Sequence, residues 1–271
     1  MRTRVILVVS LLVGAAALLH AHDLFVKLDS YFLQPHSTVT IPILNGSFVL
    51  SENAIMRDRV TDISVVSSAG RTHIDTTHWV GDTTYADTTF LTLETGTPGT
   101  YIVGASTRSR DLGMAAADFN DYLEHDGIPD VLEERRRSGD LDRDVWERYS
   151  KHVKAVLQVG DRRDAFYLTP LGYPAEIVPL VNPYDLHAGD ELTVLCLVDG
   201  QPVANQLVIL GGEQGGNLVD EARKRTDQAG VVGFVIDSPG RWYVEFINMQ
   251  PSEAQDIDYE SNWATLSFEI R

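Results

Sequence analysis

From His22 onward the chain consists of short runs rich in valine, threonine, tyrosine and phenylalanine, each cut off by a turn signal. LFVKLDSYFL, STVTIPIL, DISVVSSAG, TTFLTLETG and GTYIVGAST are the clearest in the first half, broken at Asn45-Gly46, Ala69-Gly70 and Pro98-Gly99. Runs of this length and spacing are too short for helices, and their β-branched content suits a pleated surface. The second half repeats the pattern. AEIVPLVNPYDLHAGDELTVLCLVDGQPVANQLVILGG predicts at least three strands, GVVGFVIDSPGRWYVEFINM two more, and WATLSFEIR a last one. Asp199-Gly200 reads as a tight hairpin turn, and His187–Asp190 and Thr226–Gly230 also carry hairpin-type signals. The prediction is a mainly β protein of two immunoglobulin-like or prealbumin-like β-sandwich domains, each of roughly 100 residues or somewhat more.

The pattern changes near Gly113. ADFNDYLEHDG places Phe119, Tyr122 and Leu123 on one helical face, and VLEERRRSG, opened by Ile128-Pro129-Asp130 and closed by Gly139, reads as a second short helix. DRDVWERYSKHVKAVL predicts a third and longer helix, with Trp146, Tyr149, Val153 and Val156 on one stripe and Asp142 or Asp144 capping its first turn. The expected organisation is a signal peptide over 1–21, an N-terminal sandwich over 22–170 with a helical insertion at about 114–157, and a C-terminal sandwich over 171–271.

The start of the chain fixes the expected compartment. Arg2 and Arg4 precede the apolar stretch Val5–Leu19, and small residues follow, which is the order of a secretory signal. The stretch is shorter than the roughly 20 apolar residues of a membrane span. Cleavage after Ala17 and cleavage after Ala21 both remain open, and the position rules alone favour Ala17. The net charge of −17, or −19 once Arg2 and Arg4 are removed, disfavours nucleic acid and anionic lipid as partners and favours cations. Cys196, the one cysteine, lies in the apolar run LTVLCLV and reads as a buried thiol, so no intrachain disulfide forms.

The segments HDLFVKLDSYFL, NGSFVLSENAI, PGTYIVG, DFNDYLEHDGIPDVL, ERYSKHVKAVLQVG, EIVPLVNPYDLHAGD, VDGQPVANQLV, RTDQAGVVGF, GRWYVEF and DYESNWATLSFEI resemble, in this order, the exported domain-of-unknown-function family DUF4198. The resemblance spans nearly the whole mature chain. The second half is also similar to carboxypeptidase-regulatory-like sandwiches, through GQPVANQLV and TDQAG. The family is associated with nickel and cobalt uptake, so the resemblance implies a periplasmic or secreted accessory working with a metal-uptake membrane transporter. It also favours cleavage after Ala21, which makes His22 the mature N-terminus. It supplies no catalytic set.

The expected chemistry is therefore metal binding. An N-terminal His22 offers its α-amine and an imidazole nitrogen to one metal, and Asp23 adds a carboxylate beside them. The imidazole suits nickel, copper and zinc, with copper(II) binding tightest, and the resemblance points to nickel or cobalt, so the expected metal is nickel, cobalt or copper. Cleavage after Ala17 would instead leave His20 as a third-position histidine, another chelate for copper or nickel. His78, beside Trp79, is the preferred second histidine, and His152 a further candidate. The acidic triplets Asp140, Asp142, Asp144 and Asp256, Asp258, Glu260 have the alternate spacing of a calcium loop without its glycine or closing glutamate, and read as caps and surface charge. No nucleophile elbow, P-loop, HExxH or dinucleotide glycine pattern occurs. The leading expectation is a non-enzymatic binding protein for a divalent metal. The alternatives are an adhesive module recognising carbohydrate or a partner protein, and a copper oxidase with an N-terminal histidine brace.

Overall fold

The structure is a computed structural model that describes residues 23–81, 83 and 86–271. The signal segment and His22 lie outside the described residues. The fold is mainly β, of the immunoglobulin-like sandwich class. Among the described residues the strands form an eleven-stranded sheet and two four-stranded ones.

The large sheet is organised around Val145–Val159, which runs parallel to Tyr259–Ile270 and antiparallel to Gly99–Thr107 and Arg110–Met114. This overturns the helix expected over Asp142–Leu157. Along a strand, alternate side chains point to opposite faces. The supposed helical stripe therefore splits, with Tyr149 and Val153 on one face and Trp146 and Val156 on the other, and Trp146 is left exposed. The helical insertion accordingly reduces to two helices, α1 (Ala116–His125) and α2 (Pro129–Ser138). Asp144, expected to cap the missing helix, instead accepts a hydrogen bond from the Ala116 amide of α1 at 3.0 Å.

The two small sheets cover opposite faces of the large one. The N-terminal sheet contains Asp23–Val26, Thr38–Gly46, Thr89–Glu94 and Trp79–Val80. It lies over the face that carries Lys151, Trp263 and Thr265, where the Thr265 hydroxyl donates to the Leu24 carbonyl at 2.7 Å. The other small sheet, with Ala175–Pro179, Glu191–Val198, Gln201–Pro202 and Val231–Val235, covers the opposite face. There Lys154 meets Glu176 at 2.7 Å. One apolar cluster threads all three layers, from Leu24 to Ile270, and the large sheet passes through the expected boundary at residue 170.

Local signals are realised where they were strongest. Phe119, Tyr122 and Leu123 are the buried face of α1, Pro129 opens α2, and Gly139 ends it with φ at 82°. Asp199 and Gly200 both take positive φ, 49° and 72°, between the strands Glu191–Val198 and Gln201–Pro202. Gly211 and Gly212 lie inside the strand Leu207–Gln214, opposite Tyr243 and Trp242. A side chain at either glycine would collide with the aromatic ring lying across it.

Arg135, fully buried, ties α1 and α2 to the chain after them. Its guanidinium donates to Asn120 Oδ1 at 3.0 Å and to the carbonyls of Asp140 and Arg143, both at 2.8 Å, and lies over the Phe119 ring. Arg135→Ala strands these acceptors and opens a cavity, and is expected to cost about 3 kcal/mol. Chemical denaturation followed by far-ultraviolet circular dichroism reads this as a lower unfolding midpoint.

Candidate functional site

The face of the large sheet toward α1 and the N-terminal sheet gathers charge. Strand pairing sets Glu147 beside Tyr259, Tyr149 beside Ser261, and Lys151 beside Trp263. Glu245, from the neighbouring strand Gly240–Pro251, pairs with Thr265 and shares its face of the sheet with Tyr243 and Ile247.

Three further acidic groups approach the same region. Asp23 opens the strand Asp23–Val26, Asp126 follows α1, and Glu221 sits before the strand Ala222–Arg225. Arg223 holds this edge together, donating to Glu221 Oε2 at 3.1 Å and to the His125 carbonyl at 3.0 Å, while Tyr243 Oη donates to Glu221 Oε1 at 3.2 Å. Burial pushes the Asp23 carboxyl up to about 7, with Lys151 opposing and Glu221 reinforcing the rise. Burial, then the negative charge of Asp23, pushes Asp126 up to about 8. Glu245 is raised well above the usual carboxylate range by burial, then by Asp23, Glu221 and Asp126. Asp126 Oδ2 and Glu245 Oε2 are buried without a hydrogen-bond partner. Carboxylates that crowd together in this way disfavour ionisation and favour any cation placed among them.

Beside the carboxylates lies a cavity of about 640 Å³, whose lining includes Glu147, Tyr149, Lys151, Trp263, Tyr122 and Asn45. Tyr122 and Trp263 stack with ring planes 3° apart, and Tyr122 Oη donates to Glu147 Oε1 at 3.1 Å. The Ser261 hydroxyl also donates to Glu147, and the Trp263 indole N–H donates to Ser261 Oγ at 3.1 Å. Burial pulls the Lys151 ammonium down to about 8, against the pull of Asp23.

Of the metal ligands expected from sequence, only Asp23 reaches this region among the described residues, and His22 lies outside them. His78 is exposed, in the short turn Thr76–His78. His152 is buried on the opposite face of the large sheet from Lys151. Its Nδ1 contacts Ser106 Oγ at 2.9 Å and its Nε2 contacts Ser150 Oγ at 3.0 Å, and burial pulls its pKa down to about 4. Both ring nitrogens are thus engaged, and His78 and His152 do not join Asp23 in one set. Among the described residues no group of three or more His, Cys, Asp or Glu side chains is spaced to hold a metal ion. Asp258, from the second acidic triplet, pairs with Arg143 at 2.9 Å and accepts from the Trp146 amide. Cys196 is buried, and burial pushes its thiol well above the usual range. The sequence reading missed Asp126, Glu147, Lys151, Glu221 and Glu245, because each looked like ordinary surface charge in its own segment.

A family model described as "Domain of unknown function (DUF4198)" matches residues 19–250. The chain belongs to the DUF4198 family. No curated protein is significantly similar to it. Among solved structures, the D0-D1 domain of intimin is 14% identical, covers 91% of this chain and 97% of its own, and has a TM-score of 0.23. A tetra-tandem repeat from the extending region of a large adhesion protein is 13% identical, covers 93% of this chain and 50% of its own, and also has a TM-score of 0.23. Likeness at that level carries no argument about function. Among the described residues no helix is long and apolar enough to cross a membrane.

Proposed function

We propose that this DUF4198 protein is an exported, non-enzymatic binding protein that captures a divalent transition metal, nickel or cobalt, for a membrane uptake system. One observation carries the reading: Asp126 and Glu245 present buried carboxylate oxygens without partners among the described residues, and the charge of Asp23 acts on both. Cleavage after Ala21 would place the amine and imidazole of His22 next in the chain to Asp23. The carboxylates do not complete a metal set by themselves, and His22 would supply the missing nitrogen ligands. Mixed nitrogen and carboxylate donors suit nickel and cobalt, and copper(II) would compete by its intrinsically higher affinity.

Isothermal titration with nickel and cobalt, on protein whose intact mass shows His22 as its first residue, tests this. One site of micromolar or tighter affinity is expected, weakened at least about tenfold by His22→Ala. The absence of micromolar binding in the parent protein would reject the reading.

A further inference from the structure

The cavity beside the carboxylates holds two cations, Lys151 and Arg59, that no carboxylate among the described residues contacts. Lys151 is 6% exposed, yet its ammonium makes one hydrogen bond among the described residues, a long one of 3.5 Å to Asn45 Oδ1. The ammonium also lies over the rings of Trp263, at 4.8 Å, and Tyr149, at 5.9 Å. Arg59 also lies over the Tyr149 ring, at 5.4 Å, with its Nε buried and unpartnered. Two of the acids that line the same cavity are engaged elsewhere. Glu147 accepts from Tyr122 and Ser261, and Asp111 is held by Arg148 through two hydrogen bonds of 2.7 and 2.9 Å. A buried ammonium without a contacting anion is costly, and a bound anion relieves that cost.

We propose that this cavity binds a small organic carboxylate with an apolar body, its carboxylate held by Lys151 and Arg59 and its body by the surrounding rings and apolar wall. Ile55, Met56, Leu112 and Met114 supply that wall. The volume lies within the range of ordinary small-molecule sites, and convergent polar groups in a largely apolar enclosure are what such sites contain. Asp23, Asp126 and Glu147 also face Lys151, with Arg59 as the second cation. None of the three acids forms an ion pair with it among the described residues. The groups that hold the anion are not among the proposed metal ligands, so the two sites can be tested apart.

Titration of the mature protein with benzoate, phenylacetate and hexanoate tests the proposal, with benzyl alcohol and inorganic sulfate as comparisons. At least one carboxylate is expected to saturate a single site, with benzyl alcohol and sulfate at least about tenfold weaker. Lys151→Met and Arg59→Gln are each expected to weaken the carboxylate at least about tenfold. Arg59 is partly exposed, so Arg59→Gln decides the matter if Lys151→Met does not fold. Unchanged nickel binding in Arg59→Gln would separate this site from the metal site. Failure of all three carboxylates to saturate, affinity unchanged in Arg59→Gln, or sulfate binding as tightly as benzoate would overturn the proposal.

Discussion

Replacing Glu176 with alanine is expected to destabilise the protein by roughly 3–5 kcal/mol, the range for removing one partner of a buried ion pair. Lys154 and Glu176 are both almost fully buried, 2.7 Å apart, between the large sheet and the sheet that contains Ala175–Pro179. Glu176 also accepts from the amides of Leu171 and Gly172, at 2.5 and 2.9 Å. Its removal leaves an ammonium and two amides without acceptors. Burial already lowers the Lys154 pKa, and Glu176 opposes that shift. In Glu176→Ala the folded-state pKa falls further, so the unfolded chain binds more protons than the folded one. The variant is therefore expected to regain stability as pH rises toward the ordinary lysine value of 10.5. Urea denaturation at about pH 7 and about pH 9.5 reads both effects. A second variant, with Lys154→Met added to Glu176→Leu, is expected to recover only the part of the loss that comes from the stranded ammonium, because an apolar pair replaces the ionic one while the Leu171 and Gly172 amides stay without an acceptor. A loss under about 1 kcal/mol in Glu176→Ala would contradict this account.

The second large effect is the response of the carboxylate cluster to pH. Asp23 and Asp126 titrate at about 7 and about 8 in the folded protein and at 3.8 in the absence of the fold. Between these limits the folded state binds more protons than the unfolded one, so stability is retained at low pH and lost as pH rises through the folded values. The urea midpoint is expected to fall between about pH 5 and about pH 8.5. Asp126→Asn removes one of the repelling charges and is expected to flatten this slope, making the variant the more stable protein at about pH 8.5 by at least about 1.4 kcal/mol, the equivalent of one pKa unit. Metal binding displaces the same protons, so nickel affinity is expected to rise at least about tenfold from about pH 6 to about pH 8. Asp126→Asn should weaken nickel binding even as it stabilises the fold. A variant that is less stable than its parent above the folded pKa values would contradict the assignment of repulsion to Asp126.

Most individual strands were legible in the sequence, because alternation and turn chemistry are local. Asp199-Gly200 turns as expected since few residue pairs tolerate positive φ at two successive positions. The helix Ala116–His125 was legible for the same reason, with its buried face spaced at helical intervals. The strand Val145–Val159 was not. Its polar residues, Lys151, His152 and Lys154, look like the solvated face of a helix until their partners are known, and those partners come from far along the chain.

The candidate site was hidden by the same separation. Asp23, Asp126, Glu147 and Glu245 belong to four segments, and nothing near any one of them marks it as buried. The sequence by itself determined a mainly β fold, the two short helices, the strongly acidic charge and the position of His22 next to Asp23. The tertiary structure alone decided that 145–159 is a strand buried on both faces for most of its length, and that carboxylates and cations meet along it. Local propensity depends on neighbours in sequence, whereas burial, ion pairing and shifted protonation depend on neighbours in space.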